Sequence, residues 1–136
     1  KRHAATRARN VRVSNVLKIV RLARSTMKRA GDASSSLGIT EMSWSSGKGR
    51  SHFNYGWETS EAGQAQRIRQ VLPALARERR AWRLAGVWWY TWLSRSLGGN
   101  DSFDYAGLRR MGSGGHVVDK PALRAWRSTV ARLTRR

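Results

Sequence analysis

The sequence predicts an α/β fold with parallel strands, and three observations carry that reading. Two short apolar runs, 37–43 and 84–92, are separated by an amphipathic segment of helical length. Strands joined through a helical crossover pair in parallel. The second run ends Val87-Trp88-Trp89-Tyr90-Thr91-Trp92, β-branched and aromatic almost throughout, as suits a strand covered on both faces. Long loops, 44–58 and 93–119, follow the C-terminal ends of both runs, while the connections entering them are short. That asymmetry belongs to α/β proteins whose sites lie above the strand C-termini. Two strands alone leave both outer edges unpaired, so the chain reads as part of a larger fold.

Residues 1–9 form a basic, polar terminus. Over 10–30 the apolar positions Val13, Val16, Leu17, Val20, Ala23 and Met27 recur at three and four, one stripe of an amphipathic helix. Gly31 follows where a left-handed residue ends a helix cheaply. Polar residues 32–36 lead into the strand 37–43, Leu-Gly-Ile-Thr-Glu-Met-Ser. After the loop 44–58, Thr59 is the expected N-cap of a helix over 59–82, with Glu61 in the first turn. Ala65, Ile68, Leu72, Leu75 and Ala76 mark its inner side, and a kink is expected at Pro73. The strand 84–92 and the loop 93–119 come next, Gly112 to Gly115 reading as a turn. Lys120-Pro121 opens a helix over 120–134, striped by Leu123, Trp126, Val130 and Leu133.

The net charge is +19, from 27 Lys plus Arg against 8 acidic residues. Such an excess invites a polyanion partner. The basic residues are spread along nearly every segment, however, and Arg outnumbers Lys 22 to 5, the mark of a composition bias more than of a binding face. Cysteine is absent, which excludes disulfides and thiolate metal sites. His3, His52 and His116 lack metal-ligand spacing, and neither metal nor other cofactor is implied. No apolar run approaches the roughly 20 residues that cross a bilayer. No signal-peptide pattern is present, and the chain begins with Lys, as a processed product or a piece of a longer protein would.

The chemistry-bearing feature is Glu41. A carboxylate at the end of an apolar strand is costly unless it is paired or used. The loops beyond both strands are rich in aromatics, which suits carbohydrate: sugar rings present apolar C–H faces to indole, and a carboxylate can attack the anomeric carbon. Trp92 and Trp44 are stacking candidates, joined by the loop aromatics Tyr55 and Trp57. Trp82, Trp126 and at least one of Trp88 and Trp89 are assigned to the core. Gly47-Lys48-Gly49-Arg50-Ser51 fits a phosphate loop poorly and reads as a flexible loop.

Ile39-Thr40-Glu41-Met42-Ser43-Trp44 resembles the I-T-E-x-G-W segment on the seventh strand of (β/α)8-barrel glycoside hydrolases of the cellulase superfamily, family 39-like or family 5-like. Thr59-Ser60-Glu61-Ala62-Gly63-Gln64-Ala65 is similar to the start of the seventh helix in that group, and Gly86 to Trp92 to the eighth strand. Phe103-Asp104-Tyr105-Ala106-Gly107-Leu108 and Lys120-Pro121-Ala122-Leu123-Arg124-Ala125-Trp126 resemble the closing loop and last helix. The similarity spans about residues 15 to 130.

The resemblance implies the C-terminal part of a barrel, from about the sixth helix to the eighth. It implies Glu41 as the nucleophile of a retaining mechanism, Trp92 as a sugar-lining indole, and a poly- or oligosaccharide substrate. Ser43 stands where Gly is usual, and Leu93-Ser94 where an Arg-Asp pair is often seen. The second carboxyl group that a retaining enzyme needs lies on the fourth strand of that group, in an Asn-Glu motif, and no Asn-Glu pair occurs in this sequence. Alone, the chain is expected to be inactive and marginally stable; its partners would be the rest of the barrel and a carbohydrate, with no membrane. Extracellular action is an expectation from the resemblance only. Two other readings remain open, a non-catalytic carbohydrate-binding barrel relative and a basic nucleic-acid-binding α/β module.

Overall fold

The computed structural model describes residues 12–94 and 99–135. The basic terminus expected over 1–9 lies outside them. The chain is mixed α/β. In order it forms helix α1 (Val13–Arg29), strand β1 (Leu37–Met42), helix α2 (Glu61–Trp82) and strand β2 (Leu84–Trp89), then strands β3 (Leu93–Ser94), β4 (Arg109–Met111) and β5 (Val117–Asp119), and helix α3 (Pro121–Thr134). Strands β1 and β2 pair in parallel as a two-stranded sheet; β3, β4 and β5 make a second sheet, β3 parallel and β5 antiparallel to β4.

One core joins the three helices to one face of the β1–β2 sheet. Val20 of α1, Ile68, Val71, Leu72 and Leu75 of α2, and Ala122, Leu123 and Ala125 of α3 are buried together with Met42, Trp44, Leu84 and Leu108. Leu37, Ile39, Val87 and Trp89 pack on this cluster from the strands, and Trp82 and Trp126 from the helices. The helix ends follow from local chemistry. Gly31 (φ 83°) closes α1: its own N–H bonds Lys28 O and that of Asp32 bonds Met27 O at 2.9 Å, the paired bonds of a Schellman end. The buried Arg24 guanidinium donates to Ser35 O (2.9 Å) and Ala33 O (2.5 Å), holding the connection into β1.

Three details depart from the sequence reading. The N-cap of α2 is Ser60, not Thr59: Ser60 is extended and its Oγ accepts from Gly63 N at 3.0 Å, while Thr59 N is engaged with Ser45 O at 2.8 Å. Replacing Ser60 by Ala is expected to lower stability by about 1 kcal/mol, read as a downward shift of the urea midpoint. Next, β2 ends at Trp89, short of Trp92, because its partner ends opposite it at Met42. Beyond that point the chain changes partner, Leu108 N and Arg109 N donating to Thr91 O and Trp92 O. Finally, the stretch 93–119 holds the second sheet and two 3-10 turns. Its strands are two or three residues long, too short for any alternation to show in sequence. Gly112 to Gly115 is the turn joining β4 to β5, with Gly114 and Gly115 at positive φ. Helix α2 runs through Pro73 without interruption.

The core covers only one face of the β1–β2 sheet. On the other, Trp88 is 56 % exposed, and on α1 Ile19 and Leu22 are 67 % and 60 % exposed. Among the described residues, no helix is long and apolar enough to cross a membrane.

Candidate active site

Register places Glu41. Ile39 pairs with Val87 and Met42 with Trp89, so two residues, Thr40 and Glu41, stand against Trp88 alone. This is a β-bulge, and it changes the phase of the strand. In a regular strand Glu41 would share the core-facing side with Leu37 and Ile39. With the bulge, Met42 turns into the core instead, at 7 % exposure, and both Thr40 and Glu41 are left exposed. Strand β2 carries a matching irregularity, Ala85 being the extra residue between the Leu37–Leu84 and Gly38–Gly86 pairs. Among the described residues, no hydrogen bond or ion pair holds Glu41.

The Trp88 indole occupies the same open face. A Cβ on Gly86 would meet its ring at 2.7 Å and one on Gly38 would lie 3.6 Å from it, so these two glycines leave room for the ring. The sequence reading put at least one of Trp88 and Trp89 in the core. It is Trp89, which stacks obliquely on Trp44 (6.4 Å) and edge-on to Trp126 (5.9 Å).

The loops that follow the two strands are stitched together beneath the surface. Ser46 N and Oγ both donate to Tyr105 O at 3.1 Å, and Tyr90 N donates to Met42 O. Gly47 is where the backbone approaches the Tyr105 ring, since a Cβ there would sit 2.7 Å from it. Gly47 to Ser51, read from sequence as flexible, is a tight turn in which Arg50 N and Ser51 N donate to Gly47 O. Gln64, fully buried in the first turns of α2, donates to Trp44 O (2.6 Å) and Ala106 O (2.9 Å). Trp89 Nε1 also donates to Ala106 O. Lys120, 2 % exposed at the head of α3, donates to Tyr105 O (3.0 Å) and Gly107 O (2.5 Å). Burial pushes its ammonium down to about 7; Glu61 opposes that, and Arg50 and Arg110 add to it. Neither Gln64 nor Lys120 stood out in sequence, because a polar residue in the first turn of a helix is ordinarily solvated.

At the surface the same loops meet again. Ser102, fully buried, donates its one hydroxyl proton to Glu58 Oε1 (2.5 Å), and its Oγ also lies 2.8 Å from Phe53 O. Glu58 also accepts from Tyr55 N (2.6 Å) and Gly56 N (2.8 Å). Burial works to raise the Glu58 carboxyl, but the bonds from Ser102, Tyr55 and Gly56 outweigh it and hold the group below its ordinary value. Tyr55 Oη donates to Asp101 Oδ2 at 2.9 Å, and that bond, helped by desolvation and the charges of Asp101 and Glu58, raises the phenol. Around this framework Phe103 contacts Trp57 (4.9 Å), Tyr55 (5.8 Å) and Tyr90 (6.0 Å).

The expected site residues therefore separate. Tyr55 and Trp57 join one cluster through Phe103. Trp92 is 53 % exposed and lies under the Arg109 guanidinium at 5.7 Å, outside that cluster. Trp44 is a correction: at 1 % exposure it is a core residue whose ring offers no face to a sugar, because the chain after β1 turns inward over α2. Comparison with protein-family models and with curated proteins gives no match to this chain.

Proposed function

We propose that this chain is the C-terminal portion of a retaining (β/α)8-barrel glycoside hydrolase of the cellulase superfamily, with Glu41 as its nucleophile. The observation that carries the reading is the bulge in β1, which turns the carboxylate at the strand's C-terminal end away from the core and onto the face shared with Trp88. Bulges re-aim side chains in this way beside active sites. Supporting it, the β1–β2 pair is parallel, and the aromatic loops follow the C-terminal ends of both strands. The open sheet face and the exposed Ile19 and Leu22 are apolar surfaces of the kind that further strands and helices would cover.

In this mechanism Glu41 attacks the anomeric carbon and forms a covalent glycosyl-enzyme, while a second carboxyl group protonates the leaving oxygen. Water then releases the sugar with retained configuration. The second carboxyl would come from a strand outside this sequence. The test is the reading frame preceding Lys1, combined with assay of its product. An upstream Asn-Glu at a strand end and glycosidase turnover by the complete chain are the expected results. Saccharide binding without turnover, and no such acid upstream, would replace this reading with the non-catalytic relative. Turnover by the 136-residue chain alone, lost in Glu41→Ala, would overturn its dependence on a second half.

A further inference from the structure

We propose that the cleft between α1 and α2 binds a nucleotide unit, its phosphate on Lys18, Arg21 and Arg77 and its base against Trp82. The basic residues run along nearly every segment of the sequence, but the acids do not. Helices α1 and α3 carry no acidic residue, and α2 carries only Glu61 and Glu78 against five arginines. Glu41, Glu58, Asp101, Asp104 and Asp119 all lie on β1 or on the segments that follow the two parallel strands. The helices therefore form a basic layer, on the side of the β1–β2 sheet away from Glu41. A charged layer of this kind draws anions toward it.

Within that layer the cleft is a defined place. Ser14, Lys18 and Arg21 share one face of α1 by their helical spacing, and Ala74, Arg77 and Glu78 share one face of α2. The two faces enclose about 270 Å³. The floor is apolar: Ala74 is buried, while Leu17 and Trp82 rest on the core with part of each still open. The rim is charged, three cations against the one carboxylate of Glu78. Lys18, Arg21 and Arg77 are exposed, and among the described residues none of their side chains has an ion-pair or hydrogen-bond partner. Three like charges held together repel one another, and an anion seated among them removes that repulsion. Guanidinium groups pair with phosphate through two bonds at once, and the ammonium adds a point charge. A bare oxyanion would leave the indole floor unused. A nucleobase fills it, because its planar face stacks on an aromatic ring whatever the base. The space is at the small end of ligand pockets, roughly 300–1,000 Å³, so it takes one nucleotide and not a duplex. A free nucleotide and one unit of a single strand offer the same chemistry, and titration separates them.

The experiment is anisotropy titration of this chain with a labelled oligothymidylate octamer and an abasic strand of equal phosphate count, with thymidine monophosphate as competitor and, alone, by calorimetry. Wild type is expected to bind the octamer about tenfold more tightly than the abasic strand, the difference being the base on Trp82. Arg21→Gln combined with Arg77→Gln is expected to weaken octamer binding about tenfold at low salt. It should also reduce the log–log salt slope by about 1.4, two phosphates at roughly 0.7 each. Arg124→Gln combined with Arg127→Gln removes the same charge from α3 and is expected to change affinity by less than about threefold. All four arginines are exposed, and urea midpoints confirm that both double variants fold. Equal losses in the two double variants would show attraction to net charge alone and overturn the cleft. So would an abasic strand bound as tightly as the octamer, or no binding of octamer and monophosphate by wild type. Monophosphate that displaces the octamer marks the cleft as a site for free nucleotides; octamer binding that resists it marks a single strand as the ligand.

Discussion

Glu41→Gln in the complete enzyme is expected to lower kcat by on the order of 10^4- to 10^6-fold, the scale on which removal of an enzymic nucleophile is felt. The amide is nearly isosteric with the carboxylate, so substrate still fits and the loss belongs to the chemical step. Folding should be little disturbed, because Glu41 is exposed and no bond or ion pair among the described residues depends on it. A second variant separates a nucleophile from a merely nearby charge. With Glu41→Ala, azide can enter the vacated space and attack the anomeric carbon in its place. The product is then a glycosyl azide of inverted configuration, while a role in binding or folding yields none. Turnover within tenfold of wild type in Glu41→Gln would sink the assignment.

Lys120→Met is expected to destabilise the chain by about 2–3 kcal/mol, measured by urea titration at about pH 10, where the cost of burying the charge has largely gone and the lost hydrogen bonds remain. Three oxygens receive the Lys120 amine: Tyr105 O, Gly107 O and Ser94 Oγ. Tyr105 O keeps its two bonds from Ser46, and Ser94 Oγ its bond to Gly107 N. Gly107 O is left with only a long contact of 3.4 Å from Gln64, so that carbonyl carries most of the loss. The charge gives the same residue a pH signature. In the fold the group titrates at about 7, against 10.5 for the free side chain. Between those values the unfolded chain holds a proton that the folded chain has released, and stability therefore rises with pH across the window. Below about 7 both states are protonated and the full cost of burying the ammonium is present. Wild-type protein should show that rise between pH 7 and 10, and Lys120→Met should lack it. A variant that keeps the rise would place its origin elsewhere.

Much of this architecture was legible in the residues. The three-and-four spacing of Val13, Val16, Leu17 and Val20, the Lys120-Pro121 opening of α3 and the Gly31 stop of α1 are local signals, and local bonds satisfy them. Parallel pairing of the two strands followed from the helix between them. Less legible was everything that depends on contacts distant in the chain. Trp44 follows β1 and Trp88 lies within β2, yet the first is buried and the second half open, because β1 runs on into a loop folded over α2 while Trp88 faces the uncovered side. The short strands β3, β4 and β5 exist only as partners of one another. Gln64 and Lys120 matter because carbonyls from residues 44 and 105–107 converge on them across gaps of up to 43 residues.

The amino-acid order by itself determined the three helices and the two parallel strands, that Glu41 lies near the end of the first strand, and which loops carry the aromatics, since periodicity, caps and composition are written along the chain. Which way Glu41 faces was decided only in the folded molecule. Simple alternation would put it beside Ile39 on the core side. The bulge against Trp88 reverses that, because register is a property of two strands together, and one extra residue moves a side chain from one face of a sheet to the other.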